Sequence, residues 1–540
     1  MINKQKLKEM NLKIWVIIFI ALAIGLFLLK IIILKPVFAA KGTFLYALCN
    51  MFYSTLCIAL WCALLYRVAQ SKIYFYKTGR DLSKDIAQYG RSYKQLLQYF
   101  RAAEPHKLDI SQFQYRSWRR TSGLVLGTAE QKLIALPTKS ECNIAVFGPP
   151  GSGKTSGIAI PNALSFGGSV LAVDIKGDLY NYVTANSNRT IVRFCPDHPN
   201  ALKESFHFDP FAGIEKMNIT DKKLYLEAMA TILIPEETGS DGYYFSSRAR
   251  KMFQGIAQLL LDQNPETTFP ELVQAILNGN PFDWVNTAKQ SECLLAKEQI
   301  ASFHGNNEKN ISAVYDTLTT AMVHFSNPIL NQLLTKSDRC ISVDLLDQGC
   351  DIYLQISQEH LESYAPLFTL IIQSFCTAFM KRTDNSTGRD NEPVLMLMDE
   401  FPQLTFSYEM INSNLSTLRS KNVNCMIIQQ NLSQLEQRYG AIGASSILGN
   451  CNVQGILGSN DMATSNMFSN MCGYKKILKV SNSETHSGEP TTGRTVSEAS
   501  EKVFPPEYFG DLPSRKKLIL YIKGKYVECK KINCYDQEEW

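Results

Sequence analysis

The chain has 540 residues, and its 55 Lys and Arg residues outnumber its 50 Asp and Glu residues by five charges. An excess this small on a long chain does not identify a nucleic-acid-binding protein, so any basic groove must be local. The length predicts two or three domains, each able to bury its own core. The 14 cysteines include no C-x-x-C pair, which favours reduced, mostly buried thiols over disulfides or a metal site.

Two long apolar stretches stand near the N-terminus. Residues 14–34 read IWVIIFIALAIGLFLLKIIIL, and a second stretch runs from about residue 43 to residue 66. A helix rises roughly 1.5 Å per residue, so the first stretch matches the hydrocarbon thickness of a lipid bilayer. We therefore predict a two-helix transmembrane hairpin. A cleaved signal peptide is a poorer interpretation, because no small-residue cleavage site follows the first span.

Basic residues flank this hairpin on both sides. They are Lys4, Lys6, Lys8 and Lys13 before it and Arg67, Lys72, Lys77 and Arg80 after it. Lys and Arg accumulate in the cytoplasmic segments of membrane proteins. The pattern predicts a multi-pass protein of the cell (cytoplasmic) membrane, with both termini and everything after residue 70 in the cytoplasm.

After residue 70, short apolar runs alternate with helical stretches, a pattern typical of an α/β fold. The run at residues 143–147 leads into GPPGSGKTSG, residues 148–157, which matches the phosphate-binding pattern G-x-x-x-x-G-K-[ST]. In such a loop, backbone N–H groups surround the phosphates, the lysine neutralises their oxygens and the next hydroxyl binds Mg²⁺. We predict that ATP and Mg²⁺ bind here, with Thr155 as a metal ligand. The predicted nucleotide-binding residues are Gly148, Pro149, Pro150, Gly151, Ser152, Gly153, Lys154, Thr155 and Ser156.

A second metal-binding group is expected at the end of a buried strand. Residues 394–398 form an apolar run, and Asp399 and Glu400 follow it directly. We expect Asp399 to help hold Mg²⁺ and Glu400 to orient and polarise the water that attacks the γ-phosphorus. The adjacent pair favours a hydrolase over a kinase.

Other apolar runs also place polar residues at strand ends. Asp174 follows the run 169–173, and Gln429 and Gln430 follow the run 425–428. Ligands bind at the carboxyl ends of the strands in open α/β sheets. Position alone therefore makes either glutamine a candidate sensor of the γ-phosphate.

The long interval between the phosphate loop and the acidic pair indicates an insertion. From about residue 214 to residue 345 the strand signals fade and helical periodicity takes over, which predicts an all-α module. Further on, residues 481–500 are rich in Ser, Thr, Gly and Glu and predict a mobile loop. Residues 518–522 and 526–531 predict a final hairpin that completes the nucleotide-binding domain.

Several segments occur along the chain in one fixed order. They are the two membrane spans, GPPGSGKTSG, VDIKGDL at 173–179, the helical insertion, MDEFPQL at 398–404 and IQQNLSQL at 428–435. This order resembles that of the type IV secretion coupling proteins, the TraG-like ATPases of bacterial conjugation. The phosphate loop is common to many ATPases, but the other three motifs together are much more specific. The resemblance covers essentially the whole chain.

The resemblance implies a RecA-like P-loop NTPase with an inserted all-α domain, preceded by the transmembrane hairpin. It also implies a bacterial, membrane-anchored motor that acts as a homo-hexamer. Such motors receive single-stranded DNA with a bound relaxase and feed it to a type IV secretion channel, whose ATPases and membrane components are further partners. The expected divisions are the hairpin at 1–70, the nucleotide-binding domain at 71–212 and 346–540, and the all-α domain at 213–345.

The same resemblance assigns roles to two further residues. Gln430 matches the strand-end glutamine of the family, which implies a catalytic sensor. Arg419 falls where relatives carry an arginine that is presented to a neighbouring subunit's nucleotide, and it would stabilise charge on the transferring phosphoryl group. This chain has Ser420 where relatives often have a second basic residue.

Two other interpretations stay open at this point. One is an FtsK-like DNA translocase, which shares the membrane anchor and motor core, although the helical insertion favours a coupling protein. The other is a membrane scaffold that binds ATP but turns it over little. Glu400 distinguishes that scaffold from a motor, because a motor depends on hydrolysis.

Overall fold

The structure is a computed structural model, and it describes residues 106–536 apart from 237–239, 302, 304–306, 385–390 and 486–490. The predicted transmembrane hairpin lies outside the described residues. Within them, one helix, Leu361–Met380, has the length and apolar composition of a membrane span. Its Leu367, Phe368 and Ile371 side chains are buried in the hydrophobic core, so here an apolar helix serves packing within the protein.

The described residues include thirteen strands. Their bounds are β1 Leu124–Ala129, β2 Lys132–Leu136, β3 Ile144–Phe147, β4 Ser169–Asp174, β5 Ile191–Phe194, β6 Asp351–Gln355, β7 Val394–Met398, β8 Val423–Gln429, β9 Val453–Ile456, β10 Tyr474–Thr485, β11 Thr491–Lys502, β12 Lys517–Ile522 and β13 Lys525–Lys530. Among the described residues, eleven of them form one sheet in the order β2-β1-β13-β12-β9-β3-β8-β7-β4-β6-β5.

The centre of this sheet is parallel. The seven strands from β9 to β5 in the sheet order all pair in parallel, for example with Ile144 opposite Met426 and Val394 opposite Val423. Every residue of β3, β7 and β8 is buried, as expected for strands that are covered on both faces. Parallel strands end at the same edge, so the residues that follow β3, β4, β7 and β8 lie side by side there.

The other side of the sheet is antiparallel. β12 pairs with β9 and with β13, β13 pairs with β1, and β1 pairs with β2. The predicted final hairpin is therefore confirmed as β12 and β13, with a turn at Lys523 and Gly524. Both turn residues have positive φ, 48° and 85°, as tight hairpin turns require.

Helices pack on the sheet and fill the long interval between β5 and β6. Their bounds are α1 Ile160–Ser165, α2 Asp178–Asn186, α3 Ala201–Glu204, α4 Ile219–Leu233, α5 Ser240–Gln263, α6 Phe269–Asn278, α7 Pro281–Gln290, α8 Leu294–Ala301, α9 Glu308–Met322, α10 Pro328–Leu333, α11 Val343–Asp347, α12 Leu361–Met380, α13 Tyr408–Thr417, α14 Leu432–Gly449 and α15 Met462–Cys472. All the secondary-structure elements that the structure describes between β5 and β6 are helices. That these helices form a separate domain with bounds 213–345 stays a prediction.

The two faces of the sheet carry different helices. Ile158 before α1 and Leu179 of α2 pack in one core cluster with Leu397 of β7. Leu361 of α12 and Phe401 pack in the other cluster. We call these sides the α1 face and the α12 face.

The prediction of a mobile loop at residues 481–500 is wrong for the described residues 481–485 and 491–500, which belong to strands. β10 and β11 pair as an antiparallel ribbon, in a register that runs from Tyr474 opposite Lys502 to Thr485 opposite Thr491. Strand pairing uses backbone N–H and C=O groups, and Thr and Val favour extended backbone even in a polar sequence. The ribbon carries no apolar alternation, because its pairing through the backbone does not depend on that pattern.

Candidate nucleotide-binding site

The phosphate loop follows β3 and leads through a π-helical turn into α1. Gly148 N–H donates to the Gln429 carbonyl of β8 at 3.1 Å, which ties the start of the loop to the neighbouring strand. Gly151 and Gly153 have φ of 75° and 88°, left-handed values that glycine adopts most readily. A Cβ on Gly148 would lie 2.4 Å from Ser152 Oγ. The glycines of the motif are therefore required by the conformation of the loop.

The Lys154 side chain, near the end of the phosphate loop, reaches back to the start of the loop. Its Nζ donates to the Gly148 carbonyl at 2.7 Å. Burial lowers the pKa of this ammonium, while the carboxylates of Glu400 and Asp399 act in the opposite direction. A half-buried cation beside a loop of backbone donors is a site that fits a polyphosphate. The residues present therefore fit a nucleotide.

The predicted acidic pair follows β7. Glu400 has a φ of 48°, a left-handed value that is uncommon outside glycine and clusters at functional sites. Its N–H donates to Asp399 Oδ1 at 3.0 Å. Burial, followed by the repulsion of the neighbouring Glu400 carboxylate, raises the pKa of Asp399 to about 6. A cation at this carboxylate would offset that repulsion, so the site fits Mg²⁺.

Gln430 meets Glu400 across the gap between β7 and β8. Gln430 Nε2 donates to Glu400 Oε1 at 3.3 Å and to Oε2 at 3.4 Å. The other candidate sensor, Gln429, is fully buried, and its carbonyl accepts from the phosphate loop. The structure thus brings Gln430, rather than Gln429, to the predicted catalytic carboxylate.

One cavity of about 450 Å³ joins these groups, a size within the range of roughly 300–1,000 Å³ that is usual for small-molecule sites. Gly148 and Ser152 are buried and are not among the residues that line the cavity. The predicted residues that line it are Pro149, Pro150, Gly151, Gly153, Lys154, Thr155, Ser156, Asp399, Glu400 and Gln430. The cavity therefore holds most of the predicted site.

Asp174, the last residue of β4, and Lys176 and Asp178 after it also line the cavity. The sequence placed Asp174 at a strand end, but it assigned none of the three a role in the site. The Asp174 carboxylate accepts from the N–H groups of Gly177 at 3.0 Å and Tyr180 at 2.8 Å, and so fixes the start of α2. Burial raises the pKa of Asp174, and these hydrogen bonds act against that shift. The signal that marks them is the motif D-x-K-G-D-L, which begins at the last residue of this buried strand.

Arg419 is the one predicted catalytic residue that lies apart from the cavity. It precedes β8, whereas Gln430 follows it, so the seven residues of that strand separate the two. At about 3.3 Å per residue, a strand of this length spans roughly 20 Å. The Arg419 guanidinium donates to Asn452 Oδ1 at 3.3 Å. Its predicted role toward a neighbouring subunit stays a prediction.

The ligand set around the metal position is small. No group of three or more His, Cys, Asp or Glu side chains in the described part of the chain could hold a metal ion by itself. Mg²⁺ commonly keeps several waters and is bound through one or two carboxylates together with substrate phosphates. Thr155 and Asp399 line the same cavity and are the protein residues that would complete such a site.

The fold and this cavity together define an α/β P-loop NTPase. Comparison with solved structures agrees: the bacterial conjugative coupling protein TrwBdeltaN70, in an unbound form, superposes with a TM-score of 0.59 at 15% identity. That match covers 78% of this chain and 90% of the other. The plasmid coupling protein TrwB in complex with ADP and Mg²⁺ gives a TM-score of 0.57 at 14% identity, over 79% and 92%. The predicted α/β P-loop fold is confirmed.

The family model for type IV secretory system conjugative DNA transfer matches residues 109–540, so the chain belongs to this family and is a type IV coupling protein of the TraG family. Protein VirD4 of Rhizobium rhizogenes is 24% identical over 387 residues, or 70% of this chain. Conjugal transfer protein TraG of Escherichia coli is 22% identical over 422 residues, or 71% of this chain. The matches span 56% of VirD4 and 65% of TraG. These findings do not favour the FtsK-like alternative.

Proposed function

We propose that this protein is a membrane-anchored coupling-protein ATPase that recruits relaxase-bound single-stranded DNA and drives its transfer into a type IV secretion channel. The observation that carries the proposal is the contact of Gln430 with both oxygens of Glu400, in the cavity that the phosphate loop also lines. A carboxylate held beside a phosphate-binding loop is what hydrolysis of a nucleoside triphosphate requires. A scaffold that only binds nucleotide has no need of this arrangement.

In the proposed reaction, the N–H groups of the loop and the Lys154 ammonium bind the phosphates. Thr155 and Asp399 would hold Mg²⁺, which supplies positive charge that polarises the phosphoryl oxygens. Glu400 accepts a hydrogen bond from the attacking water and takes its proton as the new P–O bond forms. The bond from the γ-phosphorus to the β,γ-bridging oxygen breaks in the same step, and ADP leaves together with inorganic phosphate. Gln430 keeps the carboxylate of Glu400 directed at that water.

Nucleotide and metal binding are further supported by the family's structures. TrwB has been solved with the non-hydrolysable ATP analogue ADPNP and with ADP and Mg²⁺. We propose that the same cavity binds ATP and Mg²⁺ in this chain. We also propose that the nucleotide-binding domain is RecA-like, as the order of the motifs implies.

The assembly that we propose is a homo-hexamer anchored in the lipid bilayer by the hairpin at residues 14–66. The distance of Arg419 from its own cavity supports an action on the neighbouring copy's nucleotide. Six copies around one strand also reconcile DNA transport with a modest net charge, because each needs to supply only a few cations to the pore. The proposed partners that receive the DNA from the hexamer are the ATPases and membrane components of the secretion channel.

The test is ATP hydrolysis by the full chain in detergent micelles, with and without single-stranded DNA, over a range of protein concentrations. We expect DNA to stimulate hydrolysis and the rate per subunit to rise with concentration, because each site would need a neighbouring Arg419. The Glu400→Gln variant gives the background rate of ATP hydrolysis. A rate per subunit that does not change on dilution or with DNA would contradict the proposal, and so would normal conjugative transfer by Glu400→Gln.

A further inference from the structure

The last described residues, 531–536, cross the outside of the phosphate loop and the start of the helix behind it; we call them the C-terminal strap. Lys531 Nζ donates to the Ser152 carbonyl at 2.8 Å, and Cys534 N–H donates to the Ser156 carbonyl at 3.0 Å. A Cβ on Gly157 would lie 2.8 Å from the Ile532 carbonyl oxygen. The strap is therefore bonded to the loop at two points and packed closely between them.

Tyr535 is the residue of this strap that lines the nucleotide cavity. Its side chain is 63% exposed, although the backbone beside it is firmly held. The Cys534 carbonyl accepts from Tyr182 Oη at 2.6 Å and from Arg119 at 3.0 Å. The Tyr182 ring contacts the Tyr535 ring edge to face, with centroids 5.3 Å apart. An exposed aromatic ring is thus fixed at the rim of the cavity.

The ring and the catalytic carboxylate come from opposite sides of the sheet. Ile532 of the strap and Leu179 of α2 pack in the core cluster of the α1 face. Phe401, directly after Glu400, packs in the cluster of the α12 face. Tyr535, Glu400 and the phosphate loop all line this one cavity. A nucleotide whose γ-phosphate approaches Glu400 therefore extends its other end toward Tyr535.

We propose that Tyr535 is the stacking platform for the base of the bound nucleoside triphosphate, and that the C-terminal strap is part of the nucleotide site. This inference rests on the proposed function, since it names a further binding residue of the same site. Every base has a π-face that an aromatic ring can cover, so stacking adds affinity with little choice among bases. The strap holds the ring beside the helix start and so fixes the distance from platform to phosphates.

The test separates the base from the phosphates. The full chain in nanodiscs is titrated with Mg-ATP and, separately, with Mg-tripolyphosphate, which has no base, and Kd is measured by calorimetry. Stacking contributes about 1–3 kcal/mol per base, which is about 5- to 150-fold in affinity. We therefore expect Tyr535→Ala to weaken ATP binding within this range and to leave tripolyphosphate binding unchanged. Tyr535→Phe should bind both as the wild type does.

The matched control is Tyr115→Ala, which removes a similarly exposed tyrosine, at 71%, that does not line the cavity. It should leave both affinities unchanged. Equal ATP binding by Tyr535→Ala and the wild type would overturn the platform, as would a parallel loss of ATP and tripolyphosphate, which would make the residue a support for the loop. A wild-type chain that binds neither ligand would instead overturn the proposed function, and the platform with it.

Discussion

Gln430 Nε2 lies 3.3 Å from one carboxylate oxygen of Glu400 and 3.4 Å from the other. The two residues follow neighbouring parallel strands, so the sheet itself sets their separation. Glu400 also adopts a left-handed backbone conformation, which costs on the order of 1–3 kcal/mol and persists only where the surroundings enforce it. The carboxylate is therefore positioned by the fold.

The first prediction concerns the charge of Glu400. Glu400→Gln keeps the shape of the side chain but removes the base, so kcat should fall by about 10²- to 10⁴-fold. The Kd for ATP should stay within a few-fold of the wild-type value, because the loop and Lys154 are unchanged. Single-turnover hydrolysis and equilibrium binding measure the two quantities. Glu409→Gln makes the same change at an exposed position on α13 and should leave kcat unaltered; an equal loss there would argue against a specific role for Glu400.

A second prediction concerns Gln430 as a positioning residue. Gln430→Ala leaves Glu400 in place but frees its carboxylate to rotate, and kcat should fall by about 10- to 100-fold with little change in the Kd for ATP. Gln430→Glu should be more damaging than Gln430→Ala, since a second carboxylate would repel Glu400. If both variants hydrolyse ATP at the wild-type rate, the contact has no catalytic role.

The parts of the site that the sequence predicts are those encoded by short, local patterns. The phosphate loop depends on glycines within a few residues of Lys154, and the acidic pair depends on one buried strand that ends at Met398. Each could be placed without knowing the sheet order. The sheet then brings them together, because the carboxyl ends of β3, β7 and β8 share one edge.

The parts that the sequence does not predict depend on distant pairings. Tyr535 reaches the loop only because β13 returns the chain past α1, and no local pattern marks it. Position at a strand end left both Gln429 and Gln430 as candidates, and only the family resemblance selected Gln430, the residue whose side chain contacts Glu400. The β10–β11 ribbon was missed for a different reason, since its polar residues pair through the backbone.

The third prediction tests whether Arg419 acts across a subunit boundary. Arg419→Ala should bind ATP normally, because Arg419 does not line its own cavity, but should lose about 10³-fold or more in kcat if it stabilises the transferring phosphoryl group. Mixing Arg419→Ala with Glu400→Gln chains should restore part of the activity. Roughly a quarter of the interfaces in a random ring would then pair an intact Glu400 with an intact Arg419.

The structural role of Arg419 needs its own control. Its guanidinium donates to Asn452, so its removal also deletes a hydrogen bond within the subunit. Asn452→Ala removes that bond and keeps the guanidinium, and it should retain most of the activity. Loss of activity in Asn452→Ala, together with no recovery on mixing, would show that Arg419 acts within its own chain.

The fourth prediction concerns the stability of the nucleotide-free protein and follows from Asp399. Its pKa is raised from 3.8 to about 6, chiefly by burial. The folded state therefore holds this proton more tightly than the unfolded chain does, and the stabilisation is fully present below pH about 4 and lost as the pH rises through about 6. Asp399→Asn carries no charge at any of these pH values. At pH 7.5 it should be more stable than the wild type by on the order of 2–3 kcal/mol, measured by denaturant unfolding.

This advantage of Asp399→Asn should shrink as the pH falls from 7.5 to 5, and Asp316→Asn, the same substitution at an exposed site on α9, serves as the control. Mg-ATP should reverse the order, because ligand that binds only the folded state stabilises it by RT ln(1 + [L]/Kd). The wild type should gain more from Mg-ATP than Asp399→Asn, which has lost a metal ligand. If Asp399→Asn keeps its advantage in saturating Mg-ATP, Asp399 does not bind the metal.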